Sequence, residues 1–179
     1  DAAAENARAM IAAAAKRTNS PNFSSMLFGD PDKIDKVMLD AHAKGYAAIK
    51  AARPDLPVGV TLSMQEILGV GEGHRGKEAE ETMYGGWIEA ARQSDFIGVQ
   101  TYSRLRIGPK GLLPPTPGAP LTDMGYENYP PAVGYTIRYA AKHIGKPLYL
   151  TETGIGTTDD AARIAFIKAT IDEVSKCID

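Results

Sequence analysis

The chain has 179 residues, 44% hydrophobic and 23% charged, with 20 basic against 22 acidic side chains and a formal net charge of −2. This is the composition of a globular domain rather than a disordered segment, and a near-neutral balance without a block of like charges argues against nucleic acid as a partner. No uninterrupted apolar run approaches the roughly 20 residues of a membrane-spanning helix, and the lone cysteine, Cys177, excludes an intrachain disulfide and a multi-cysteine zinc site.

Asp1 to Arg17 is alanine-rich, carries both charge signs and lacks proline and glycine, which predicts a helix. Thr18 to Asn22 is a breaker cluster, followed by a loop through Phe23, Leu27, Phe28 and Gly29. Asp30 before Pro31 has the pattern of an N-cap with proline at the first helical position. Ile34, Val37, Met38, Ala41, Tyr46 and Ile49 then recur at helical spacing until Pro54. Val58 to Met64 is a short apolar run with β-branched residues, as in a buried parallel strand. Gly69 to Gly76 reads as a loop, and Lys77 to Gln93 as a helix with Trp87, Ile88 and Ala91 facing inward.

Asp95 to Tyr102 is a second strand, opening into a loop rich in proline and glycine from Ser103 to about Tyr129. Long loops commonly carry function. Pro131 to Ile144 predicts a helix closed by Gly145, Pro147 to Thr151 a third strand leading into Glu152, and the last helix starts near Thr158 or Asp159. Strands alternating with helices imply an α/β fold of parallel strands joined by right-handed crossovers, here expected as one domain over residues 1–179.

In barrels of alternating strands and helices the site lies at the carboxyl ends of the strands. Those ends carry Ser63, Gln65 and Glu66, then Gln100 and Tyr102, then Thr151 and Glu152, with Gly154 and Gly156 after them. A carboxylate directly after a buried strand is costly to desolvate unless it faces a cleft or has partners, which singles out Glu152 against the plain alternative of a solvated loop glutamate. Tyr102 could donate to a carboxylate and keep it ionised, or simply cap the sheet. Glu66 is expected in a solvated loop past its strand. His42, His74 and His143 lack the spacing of a metal site, so no metal is expected.

Leu150-Thr-Glu-Thr-Gly154, followed by Asp159, Asp160, Arg163 and Ile164, resembles the family 1 glycoside hydrolases, whose pattern is Thr-Glu-Asn-Gly with a later aspartate and Arg-Ile. Asp95-Phe-Ile-Gly-Val-Gln-Thr-Tyr-Ser-Arg104 is similar to their Asp-Phe-Leu-Gly-Ile-Asn-Tyr-Tyr-Thr segment. Met124-Gly-Tyr-Glu-Asn-Tyr-Pro130 is similar to their Gly-Trp-Glu-x-x-Pro loop, and the helix from Asp40 to Arg53 with Pro57 to Leu62 to their lead into the fifth strand. Order and spacing agree from about Asp40 to Val174, and the joint occurrence is more specific than any one motif.

The resemblance implies part of a (β/α)8 barrel, approximately strands five to seven with their helices, from a retaining β-glucosidase-like enzyme. Glu152 then matches the catalytic nucleophile and Tyr102 the tyrosine that holds it. Gln100 takes the position of an asparagine near the sugar, the substrate is a β-glucoside or related carbohydrate, and no cofactor is expected. The family's acid/base lies in an Asn-Glu-Pro motif that does not occur among these 179 residues. Thr153, the Gln100-Thr101 pair and Tyr126 also depart from the family's asparagine, Asn-Tyr and tryptophan. A closed barrel typically takes about 250 residues, so the remaining barrel segments are expected as partners and this piece alone as inactive.

Two other readings stand beside this one. Gly71-Glu-Gly-His-Arg-Gly76 fits the dinucleotide-binding pattern before a helix, but Gln65 to Val70 separate it from the first strand and Glu72 would repel phosphates. A non-catalytic interaction module would be favoured if Glu152 were buried against basic side chains, with Arg104 the residue to inspect.

Overall fold

The computed structural model describes residues 2–20, 23 and 29–178, which fall into two compact units, Asp1–Lys44 and Gly45–Asp179. The first unit holds helix α1 (Ala2–Thr18) and the start of α2 (Pro31–Ala52). Of the expected turn and loop between them, Pro21, Asn22, Leu27 and Phe28 lie outside the described residues. Asp30 caps α2, its Oδ1 accepting from the amides of Asp32 at 3.1 Å and Lys33 at 3.3 Å.

The second unit is built on a parallel sheet of β1 (Gly59–Ser63), β3 (Phe96–Thr101) and β6 (Leu148–Thr153), with β3 in the middle. These are the three strands expected from the sequence. Helices α3 (Gly76–Gln93), α4 (Ala132–Ile144) and α5 (Asp160–Ser175) follow the strands in order. Leu62, Ile97 and Val99 on the sheet join Ile88, Ala91, Ala140 and Ile144 on the helices in one apolar core. Asp159 caps α5 through its side chain, and Gly145 ends α4 in the left-handed conformation at φ 67°.

Three sequence expectations are corrected. The segment past the first strand, expected to hold Glu66 in a loop, forms β2 (Glu66–Gly69) instead. The long excursion after Tyr102 contains β4 (Arg104–Gly108) and β5 (Gly111–Leu113), and the three form a second sheet in the order β2-β4-β5. β4 mixes basic with apolar residues, and β2 and β5 span only four and three residues, so none stands out as a continuous apolar run. Glu66 is accordingly a strand residue, paired in register with Arg104, and half-buried rather than freely solvated.

The joint between β1 and β2 is locked by Tyr84 of α3, whose buried hydroxyl accepts from the Gln65 amide at 2.8 Å and donates to the Gln65 carbonyl at 3.2 Å. Burial pushes its phenol up to about 12, so it stays protonated as a donor.

Candidate active site

The face of the parallel sheet away from the helices carries the polar strand ends. Along β6 the exposure alternates until Thr151 and Glu152, which are both exposed in succession. The cause is a register shift: Val99 pairs with Leu150, but Gln100 pairs with Glu152, leaving Thr151 as an extra residue. Such a bulge re-aims a side chain, and here it puts Glu152 beside Gln100. Gln100 Nε2 donates to Glu152 Oε1 at 3.0 Å, and Tyr102 Oη donates to Glu152 Oε2. The hydrogen bond to Glu152 raises the Tyr102 phenol above its ordinary value, because losing its proton would set two negative charges together.

Tyr102 also lines an open cleft of about 720 Å³, shared with Ser63, Met124, Tyr126, Gly154 and Ile155. The sequence-derived trio is therefore brought together at the strand exits, with both oxygens of one carboxylate held by neutral donors. Among the described residues Glu152 forms no ion pair, so its oxygens meet neutral donors and stay available to an electrophile.

Arg104 does not pair with Glu152. Its Nε donates to Glu127 Oε2 at 2.7 Å, and its guanidinium lies 3.8 Å from the centre of the Tyr129 ring. Burial pushes the Glu127 carboxyl up, but hydrogen bonds from Thr116 and the Arg104 guanidinium more than offset this and hold it below the usual glutamate range. Sequence reasoning did not single out Glu127 as a functional residue. Its signal was its place as the glutamate of the Gly-Trp-Glu-x-x-Pro-like loop, Met124 to Pro130.

The glycine-rich loop before α3 does follow a strand, β2, but two backbone donors at its helix end are already engaged. The Arg75 amide donates to the Gly108 carbonyl at 3.4 Å and the Gly76 amide to His74 Nδ1 at 3.3 Å. A pyrophosphate would have to displace both, so the dinucleotide reading is not favoured. Among the described residues no three His, Cys, Asp or Glu side chains are grouped to hold a metal, and no helix is long and apolar enough to cross a membrane.

No family model matches the chain, and no curated protein matches its sequence. Solved structures do. A structure of the apo β-glucosidase 1317 superposes with a TM-score of 0.91 at 32% identity, covering 98% of this chain and 43% of that one. The β-glycosidase BGL167 gives 0.84 at 38% identity, covering 94% of this chain and 41% of that one. The chain resembles part of a family 1 β-glycosidase. For the β-glycosidase of Thermosphaera aggregans the TM-score is 0.72 at 24% identity, covering 82% of this chain and 37% of that one, a likeness of fold alone. This β-glycosidase-like chain thus spans less than half the length of the proteins it matches.

Proposed function

We propose that the protein containing this chain is a retaining β-glycosidase, β-glucosidase-like, and that residues 1–179 supply approximately strands five to seven of its (β/α)8 barrel as a single domain. Glu152 is the nucleophile. One of its oxygens bonds to the anomeric carbon of a terminal β-linked sugar as the bond from that carbon to the leaving oxygen breaks. The leaving oxygen takes its proton from a carboxyl group on a barrel segment outside these residues. Water, deprotonated by the same group, then displaces Glu152 and releases the sugar. Retention by this route requires the two carboxyl groups to stand about 5–5.5 Å apart, and hydrolysis by two carboxyl groups needs neither metal nor redox centre.

One observation carries the reading: a carboxylate at a strand exit, turned to the open face by a bulge and held at both oxygens by Gln100 and Tyr102. Tyr102 fixes its orientation. Gln100 spends its amide hydrogen on Glu152, and its amide oxygen accepts from a sugar hydroxyl.

The test uses the full-length protein, incubated with an activated fluorinated glycoside that accumulates the covalent intermediate and then mapped by peptide mass. Label is expected on Glu152. Label on a different carboxylate, or turnover with inverted anomeric configuration, overturns the proposal. The 179-residue piece alone should give no turnover, since its proton donor is absent.

A further inference from the structure

We infer that Glu127 is a positioning residue that sets Tyr102 against Glu152, an inference that rests on the reading of Glu152 as nucleophile. Tyr102 sits in the two-residue joint between β3 and β4, where no ladder hydrogen bond holds it. What fixes that joint is the side chains on either side. Before it, the hydroxyls of Thr101 on β3 and Thr136 on α4 meet at 2.7 Å, both fully buried. After it, two successive residues are tied to one glutamate: Ser103 Oγ donates to the Glu127 carbonyl at 2.8 Å, and Arg104 Nε donates to the Glu127 carboxylate at 2.7 Å.

Glu127 is itself immobilised. Its side chain is 4% exposed, and its second oxygen accepts from the Thr116 amide at 2.5 Å. Arg104 is stacked on Tyr129 and donates to Thr116 Oγ1 at 3.4 Å. A carboxylate this enclosed, with every oxygen committed, holds position far better than a surface pair would. Because Tyr102 is flanked within two residues by these anchors, a shift of Glu127 must move the Tyr102 backbone and with it the phenol. A misplacement of that size at a reacting group is felt in the chemical step more than in binding.

The experiment compares full-length wild type, Glu127→Gln and Arg104→Lys. It follows the maximal rate at which a 2-deoxy-2-fluoroglycosyl fluoride labels Glu152, and kcat and KM on an aryl β-glucoside. Fluoride departs without a proton donor and makes no use of the cleft wall, so the labelling rate reports the nucleophile and Tyr102. Glu127→Gln is expected to lower the labelling rate and kcat together by about tenfold or more, with KM within about threefold. Arg104→Lys keeps the charge beside Glu127 but loses the stack on Tyr129 and the donor to Thr116, so its labelling rate should fall between those of wild type and Glu127→Gln. A folded Glu127→Gln that labels at the wild-type maximal rate, or loses activity through KM alone, overturns the inference while leaving the nucleophile in place. Wild type that does not label at Glu152 overturns the underlying reading instead. If Glu127→Gln fails to fold, Ser103→Ala removes only the hydroxyl bond and should show a smaller fall in labelling rate; an unchanged rate there also overturns it.

Discussion

Gln100 and Glu152 face each other across β3 and β6 because the ladder skips Thr151, passing from the Val99–Leu150 pair straight to Gln100–Glu152. In an unshifted ladder Gln100 would pair with Thr151, and Glu152, opposite the buried Thr101, would share the face of Leu150 and turn towards the helices, where a carboxylate has no solvent. Register, rather than residue type, is what makes this glutamate available to a substrate.

Removing the second donor should slow the reaction while leaving the fold intact. Tyr102 fixes the orientation of the attacking carboxylate, and a misplaced reacting group can cost about 10²-fold, so Tyr102→Phe is expected to lower kcat by about 10- to 100-fold. Tyr102 and Glu152 are not part of the apolar core, so the melting temperature should hardly change. Steady-state kinetics with a parallel thermal melt checks both statements. Equal activity of Tyr102→Phe and wild type would remove Tyr102 from the site.

Gly98 lies under the bulge, on the same face as Thr61 and Thr151. A β-carbon built there would come within 2.6 Å of Thr61 Cγ2 and 2.9 Å of Thr151 Cγ2. Both neighbours are β-branched and sit on paired strands, so neither yields easily. Gly98→Ala should cost about 1–3 kcal/mol in stability and, by pushing β6 aside, reduce labelling of Glu152. Urea denaturation with the trapping assay tests the two effects together; a neutral result would mean that the strands can spread there.

The parallel strands and the helices after them were legible because each strand is an apolar run and each helix has a cap or breaker at its end, as with Asp30, Asp159 and Gly145. The second sheet was not. Arg104-Leu-Arg-Ile-Gly108 alternates basic with apolar residues and turns at Pro109 and Lys110, a hairpin signal hidden inside a stretch dominated by proline and glycine. Glu152 stands out by its place at a strand exit, whereas Tyr102 and Gln100 gain their roles only through the family resemblance. Two features had no counterpart in the sequence: the one-residue shift opposite Val99, and the pairing of Arg104 with Glu127, 23 positions away. Both depend on which backbones lie side by side, which local pattern does not encode.

At the opposite end of the sheet, Asp95 accepts from Lys50 Nζ at 2.5 Å, from the Val58 amide at 2.8 Å and from the Tyr46 hydroxyl at 3.2 Å. The Lys50 hydrogen bond, then the Val58 amide, lower its pKa from the ordinary 3.8. A carboxyl group depressed in the folded state contributes stability above its unfolded value and loses it as pH falls through the folded one. Wild type should therefore exceed Asp95→Asn in stability near neutrality, and the gap should close as pH falls below about 4. Melting curves of the two proteins across that range test the sign. A gap that persists unchanged at low pH would assign the effect to the lost hydrogen bonds alone.

Glu66 works in the opposite direction. It stands opposite Arg104 in register, yet Arg104 is taken by Glu127, and among the described residues Glu66 forms no ion pair of its own. Burial raises its pKa above the ordinary 4.5 and the nearby Glu127 adds to this, while Arg104 and Arg138 pull against both. A carboxyl raised in the folded state binds its proton more tightly there than in the unfolded chain, so stability is lost as pH climbs from the unfolded value through the folded one. Glu66→Gln keeps the shape and removes the ionisation. It should melt at a higher temperature than wild type at neutral pH and at the same temperature below about pH 4. A lower melting temperature at neutral pH would mean that Arg104 and Arg138 stabilise the ionised form more than burial opposes it.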